Sequence, residues 1–131
     1  MKKKYLIVAS DYYKKITQNL INGSLKKLQI NKKNAFIIMV PGTYEIPVII
    51  SKNIKKFDGF IALGCVIKGE TPHFDFICNS TFMSLLNLSI KSKKPIGNGI
   101  ITALNMRQAK SRSFIKGEEA ANAVLEIIKN G

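Results

Sequence analysis

The chain predicts an α/β fold in three layers, a four-stranded parallel sheet with helices on both faces. Short, continuous apolar runs alternate with segments of helical spacing, strand then helix, along the whole chain. Polar residues and chain breakers collect after the strands rather than before them. That alternation needs crossover helices between parallel strands, and such crossovers cover both sheet faces. Tyr5 to Ala9 is the first strand, and Ile16, Leu20, Ile21, Leu25 and Leu28 mark one face of a helix that ends near Gln29. Ala35 to Val40 reads as a second, buried strand, closed by Pro41-Gly42. A helix then starts at Thr43, a fitting N-cap. Pro47 is tolerated because first-turn amides have no intrahelical partner. Gly59 to Cys65 is the third strand, followed by the breaker-rich KGETP. After Pro72 a long amphipathic helix carries Cys78, Phe82, Leu85, Leu86 and Ile90 on one face. Ile96 to Thr102 is the fourth strand, weakened by Gly97 and Gly99. A short helical piece from Arg107 to Arg112 precedes a closing helix with Ala121, Val124, Leu125 and Ile128. No linker, repeat or low-complexity tract divides the chain, so residues 1–131 read as one domain.

With 131 residues and 46% hydrophobic side chains, a full core is within reach. No run approaches the ~20 apolar residues of a membrane span. The opening MKKKYLIVAS is broken at Ser10 and Asp11, too early for an export segment, which points to the cytoplasm. Cys65, Cys78 and the single histidine, His73, form no CxxC and a poor zinc set, so the thiols read as structural and no metal is expected. The net charge of +13 comes mostly from scattered lysine pairs such as Lys14-Lys15, Lys32-Lys33 and Lys93-Lys94, without interleaved aromatics. That pattern argues against a nucleic-acid module and suits attraction of an anionic small substrate. GxGxxG, Walker and GxSxG patterns are absent, which removes the common nucleotide-cofactor and serine-hydrolase readings.

A parallel sheet brings the carboxyl ends of its strands to one edge, the usual ligand crevice of open α/β sheets. Tyr12 follows strand one, and Thr43, Tyr44 and Glu45 follow strand two. Gly69, Glu70, Thr71 and His73 follow strand three, and Arg112 and Lys116 lie beyond strand four. Tyr12 and Tyr44 offer flat surfaces to a heterocycle, and Glu45 accepts hydrogen bonds from a polyol or ring nitrogen. The amides of Gly69, Glu70 and Thr71 precede a helix and suit a phosphate, with Arg112 and Lys116 adding positive charge. A lone histidine is more often structural, but His73 between strand end and helix start is placed to shuttle protons near neutral pH.

The motifs themselves resemble those of the lumazine synthase family. VPGTYEIP (residues 40–47) resembles the family's VPGAFEIP, and ALGCVIKGETPHFDFICN (62–79) resembles ALGCVIRGETPHFDYVCN. PIGNGIITALNMRQA (95–109) and KGEEAANAVLEI (116–127) also match, so the similarity spans nearly the whole chain. It implies a flavodoxin-like three-layer fold and an enzyme of riboflavin biosynthesis. The reaction implied condenses 5-amino-6-ribitylaminouracil with 3,4-dihydroxy-2-butanone 4-phosphate to 6,7-dimethyl-8-ribityllumazine, with no metal or organic cofactor.

By position, the resemblance makes Tyr12 the aromatic stacked on the pyrimidine. Thr43, Tyr44 and Glu45 hold the ribityl chain and ring, and Cys65, Val66 and Ile67 read the pyrimidine edge through their backbone. Gly69, Glu70 and Thr71 form the phosphate-side turn, and His73 is the acid/base. Asn98, Arg112 and Lys116 match residues given by a neighbouring subunit, with Arg112 on the phosphate. The assembly implied is a homopentamer with sites shared between neighbours, stacked in some members into a sixty-subunit shell. Three departures stand out: a start almost directly at strand one, Asn98 where Phe is common, and a shortened stretch between Arg112 and Lys116. The competing expectations are a non-catalytic flavin- or lumazine-binding ring and a homologue that makes riboflavin itself, which the intact GETPH block disfavours.

Overall fold

The computed structural model describes residues 2–29 and 34–131. Its strands are β1 (Tyr5–Ser10), β2 (Ala35–Val40), β3 (Gly59–Ile67) and β4 (Ile96–Ala103), all parallel, in the order β2-β1-β3-β4. Helices α1 (Lys14–Lys27), α2 (Ile46–Lys52), α3 (Phe74–Ser92) and α4 (Met106–Asn130) make the crossovers and the outer layers. Strand side chains alternate between the two faces. Ile7, Ile61, Leu63 and Cys65 therefore pack with residues of α1 and α4, such as Leu20 and Val124. Leu6, Val8, Phe60 and Val66 point the other way, into a second core with Ile46 and Ile50 of α2 and Leu85 of α3. The α/β three-layer expectation is met.

The strands do not end level. Ala9 of β1 pairs with Leu63, and Ser10 closes β1 beside Gly64, whereas β3 continues to Ile67 alongside β4. Cys65, Val66 and Ile67 thus overhang β1 by about 10 Å at strand rise. This step between strand ends is the notch in which the candidate site lies.

Several local expectations are corrected. β2 is an edge strand, not a buried one: Phe36, Ile37 and Met39 are 46%, 43% and 45% exposed. Thr43 does not cap a helix. A 3-10 turn over Thr43–Glu45 intervenes, with Gly42 at its start, and α2 begins at Ile46 with Pro47 in its first turn. The Thr43 side chain is buried instead, in space that Gly64 leaves open; a Cβ there would sit 2.8 Å from the threonine Oγ1. On α3, Cys78 and Leu85 are buried but Leu86 and Ile90 of the expected apolar face are exposed. The two closing helical segments are one continuous helix, α4, which also absorbs the short Arg112–Lys116 stretch. Gly117 does not break it, because its bare Cα lies against the backbone of Leu20, while Gly23 meets Phe114 in the same way. Backbone-to-backbone packing of α1 on α4 offsets the helix-propensity cost of glycine.

Candidate active site

A cleft of about 310 Å³ fills the notch above the end of β1. Ser10, Tyr12 and Tyr13 wall it on one side, and Gly42, Thr43 and Tyr44 on another. The overhang Cys65–Ile67 forms its back, and Glu70, Thr71, Pro72 and Ile77 close the α3 side. The sheet topology brings these groups together by construction, since each follows or forms the carboxyl end of a parallel strand.

Tyr12 and Tyr44 are 71% and 68% exposed, so each presents a free ring face to a flat ligand. Tyr12 is braced from behind by Tyr13, whose ring meets it edge-on with centroids 4.8 Å apart. The Tyr13 hydroxyl donates to Glu70 Oε2 at 2.6 Å. Burial first, then that carboxylate, raise the Tyr13 phenol above its ordinary range. Burial also pushes the Cys65 thiol up to about 11; the Glu70 charge adds to the effect and Arg112 opposes it. A thiol held protonated at neutral pH is not a nucleophile, so Cys65 can serve the site only through its backbone and bulk.

The turn after β3 is partly committed to itself. Lys68 N–H donates to Ala103 O at 2.9 Å and Glu70 N–H to Ile67 O at 3.2 Å. The expectation that Glu70 offers a free amide is therefore corrected, and an anion must find the amides of Gly69 and Thr71. Gly69 adopts φ +90, a left-handed conformation that favours glycine and turns the chain away from the sheet. His73 stands at the N-cap of α3 with no side-chain capping bond, its own N–H donating to Thr71 Oγ1 at 3.2 Å. Its imidazole is spared for other work. His73, Gly69 and Lys68 line a hollow of about 420 Å³ that shares Thr71 and Pro72 with the cleft. Glu45 lies on the opposite flank, in a hollow of about 310 Å³ that shares Tyr44. Thr81, buried with no partner for its hydroxyl among the described residues, lines that flank too.

The structure does not bring Asn98, Arg112 and Lys116 into the cleft. Asn98 sits on β4 opposite Ala62, about 16 Å short of the strand's carboxyl end by strand rise. Its side chain accepts from Ile100 N–H at 3.0 Å. Arg112 Nη1 donates to Thr102 O at 3.2 Å, outside the cleft's lining, and Lys116 follows one turn later on α4. The cleft also takes in Ser10, Tyr13, Pro72 and Ile77, to which the sequence assigns no role in the site. Tyr13 stands at the N-cap of α1, and its place beside Tyr12, just after a strand end, is the available signal.

Comparison with known proteins follows the same outline. A family model described as 6,7-dimethyl-8-ribityllumazine synthase matches residues 2–130. A 6,7-dimethyl-8-ribityllumazine synthase from Buchnera aphidicola subsp. Baizongia pistaciae is 46% identical, covering 97% of this chain and 86% of the relative. Proteins of the same name from Nitratidesulfovibrio vulgaris (strain DP4) and Bartonella tribocorum are 39% and 40% identical, covering 96% and 94% of this chain and 86% of each relative.

Proposed function

This chain belongs to the 6,7-dimethyl-8-ribityllumazine synthase family, and on that premise we propose that the cleft over β1 is its active site. The reaction, a step of riboflavin biosynthesis, joins 5-amino-6-ribitylaminouracil to 3,4-dihydroxy-2-butanone 4-phosphate. One observation carries the assignment of the site: Tyr12, Thr43, Tyr44, the Cys65–Ile67 overhang and the Glu70–Thr71 turn share a single cleft, with His73 in the adjoining hollow that shares Thr71 and Pro72.

Each group has a role set by its chemistry. Tyr12 and Tyr44 sandwich the pyrimidine or flank its ribityl chain, and Glu45 accepts from ribityl hydroxyls. The Cys65–Ile67 backbone meets the pyrimidine edge. The Gly69 and Thr71 amides, with the start of α3, receive the phosphate. The chemistry comprises imine formation between amine and ketone, phosphate elimination and ring closure. Every step moves protons and none requires a redox centre, so positioning and proton transfer by His73 supply the acceleration.

Asn98, Arg112 and Lys116 reach a site only across a subunit boundary in this reading, so the working unit is a ring of chains, a pentamer. Exposed apolar side chains favour such a partner: Phe36, Ile37 and Met39 on β2, and Met83, Leu86 and Ile90 on α3. Arg112 of one subunit then neutralises the phosphate held by the next. Residence in the cytoplasm belongs to the same proposal, supported by two free, buried thiols. The test is formation of the lumazine chromophore from both substrates against a protein-free blank. Saturable acceleration is expected, with Arg112→Ala raising the KM of the phosphate-bearing substrate. Acceleration indistinguishable from the blank refutes the proposal.

A further inference from the structure

Glu70 places a carboxylate on the wall of a cleft that must accept an anion. Its charge is felt inside, since it opposes ionisation of Cys65. Among the described residues the only ion pair is Lys26–Glu118, far along the chain, so no cation pairs with Glu70. What holds Glu70 is the Tyr13 hydroxyl at 2.6 Å, from a residue 57 positions away in sequence. The phenol is the anchored partner. Its ring packs against the α1–α4 core and edge-on against Tyr12, whereas Glu70 rides on an exposed turn built around the left-handed Gly69. A short hydrogen bond to a charged acceptor, made by a rigid donor, fixes where that charge sits.

We propose that Tyr13 is a positioning residue whose hydroxyl parks the Glu70 carboxylate at the α1 side of the cleft, so that the Gly69–Thr71 turn meets the phosphate with amides and not with a negative charge. The inference rests on the assignment of the cleft as the phosphate-binding active site. Without the hydroxyl, Glu70 swings freely about the turn and its charge competes with the phosphate for the same amides. A like charge brought to within several ångströms in a partly desolvated cleft weakens anion binding by about three- to tenfold.

The experiment compares wild type, Tyr13→Phe, Glu70→Gln and the double variant, each checked by thermal unfolding to be folded. Inorganic phosphate affinity is read by calorimetric titration, and the KM of each substrate by turnover. Tyr13→Phe should weaken phosphate and raise the KM of the phosphate-bearing substrate about fivefold, leaving that of the pyrimidine within about twofold. Adding Glu70→Gln should restore both phosphate values, because the charge is removed rather than re-parked. A purely structural tyrosine would not be rescued this way. An unchanged Tyr13→Phe, or a double variant no better than the single, overturns the proposal. Product formation by wild type alongside either result spares the functional assignment, whereas wild type that neither binds phosphate nor forms product overturns both.

Discussion

β2 and β3 are both apolar strands of one parallel sheet, yet they meet different fates. β3 lies between β1 and β4, and all nine of its residues are buried. β2 lies at the edge, with Phe36, Ile37 and Met39 nearly half exposed. A central strand receives helices on both faces and neighbours on both sides from its own chain; an edge strand with the same composition keeps one side unpaired and part of its apolar surface exposed. The comparison separates what this chain buries by itself from the surface that the proposed ring would cover with a second copy.

The largest contrast should come from placing a charge in each strand. Ile61→Asp on β3 should abolish folding, because an unpaired buried carboxylate costs several kcal/mol. Ile37→Asp on β2 should keep the far-ultraviolet circular dichroism of the fold while lowering the sedimentation coefficient of the proposed ring. Equal loss of fold in both would erase the distinction. At the end of β3, His73→Ala should lower kcat about 10² to 10³-fold and leave activity above the blank, since amine and ketone condense unaided. A fall to the blank with substrate still bound would mean that His73 does more than move protons. Behind β3, Gly117→Ala forces α4 off Leu20 of α1 and should cost about 2 kcal/mol in denaturant unfolding.

The smallest test uses thiols. Cys65 on β3 is raised from 9.0 to about 11 by burial, so at pH 8 it should be alkylated about a hundredfold more slowly than a cysteine placed at Met39 on β2. The sign also sets a stability trend. The unfolded thiol ionises first, so the native state's advantage is complete below pH 9 and is lost as pH rises towards 11. Cys65→Ala should flatten that decline in a pH series of unfolding curves; an unchanged slope would assign it elsewhere.

The regions also differed in how far they could be read from sequence. The β3–KGETPH segment was legible because a continuous apolar run, a cluster of breakers and a new helical period coincide there. β2 misled because an apolar run of that length looks the same in the middle of a sheet and at its edge. Strand order, which no local pattern encodes, decides between them. The sequence reads α4 as two helical pieces, and Gly117, of low helix propensity, lies between them; the close approach of α1 shows why it stays helical. Leu86 and Ile90 continue the helical period of α3 past the core it covers, so periodicity named them and tertiary packing left them outside. Tyr13 was missed because its partner, Glu70, is distant in sequence and the turn that carries it bends only in three dimensions. The Lys32-Lys33 pair lies outside the described residues.

The measurement that bears most directly on the proposal that neighbouring subunits share each site is subunit complementation. His73→Ala and Arg112→Ala proteins, each strongly impaired, are unfolded together in equal amounts, reassembled and assayed for lumazine formation. If adjacent subunits share each site, random mixing should return about a quarter of wild-type activity, the fraction of boundaries that pair an intact His73 with an intact Arg112. Activity no higher than the average of the two variants would place both residues in the same chain's site and contradict the account.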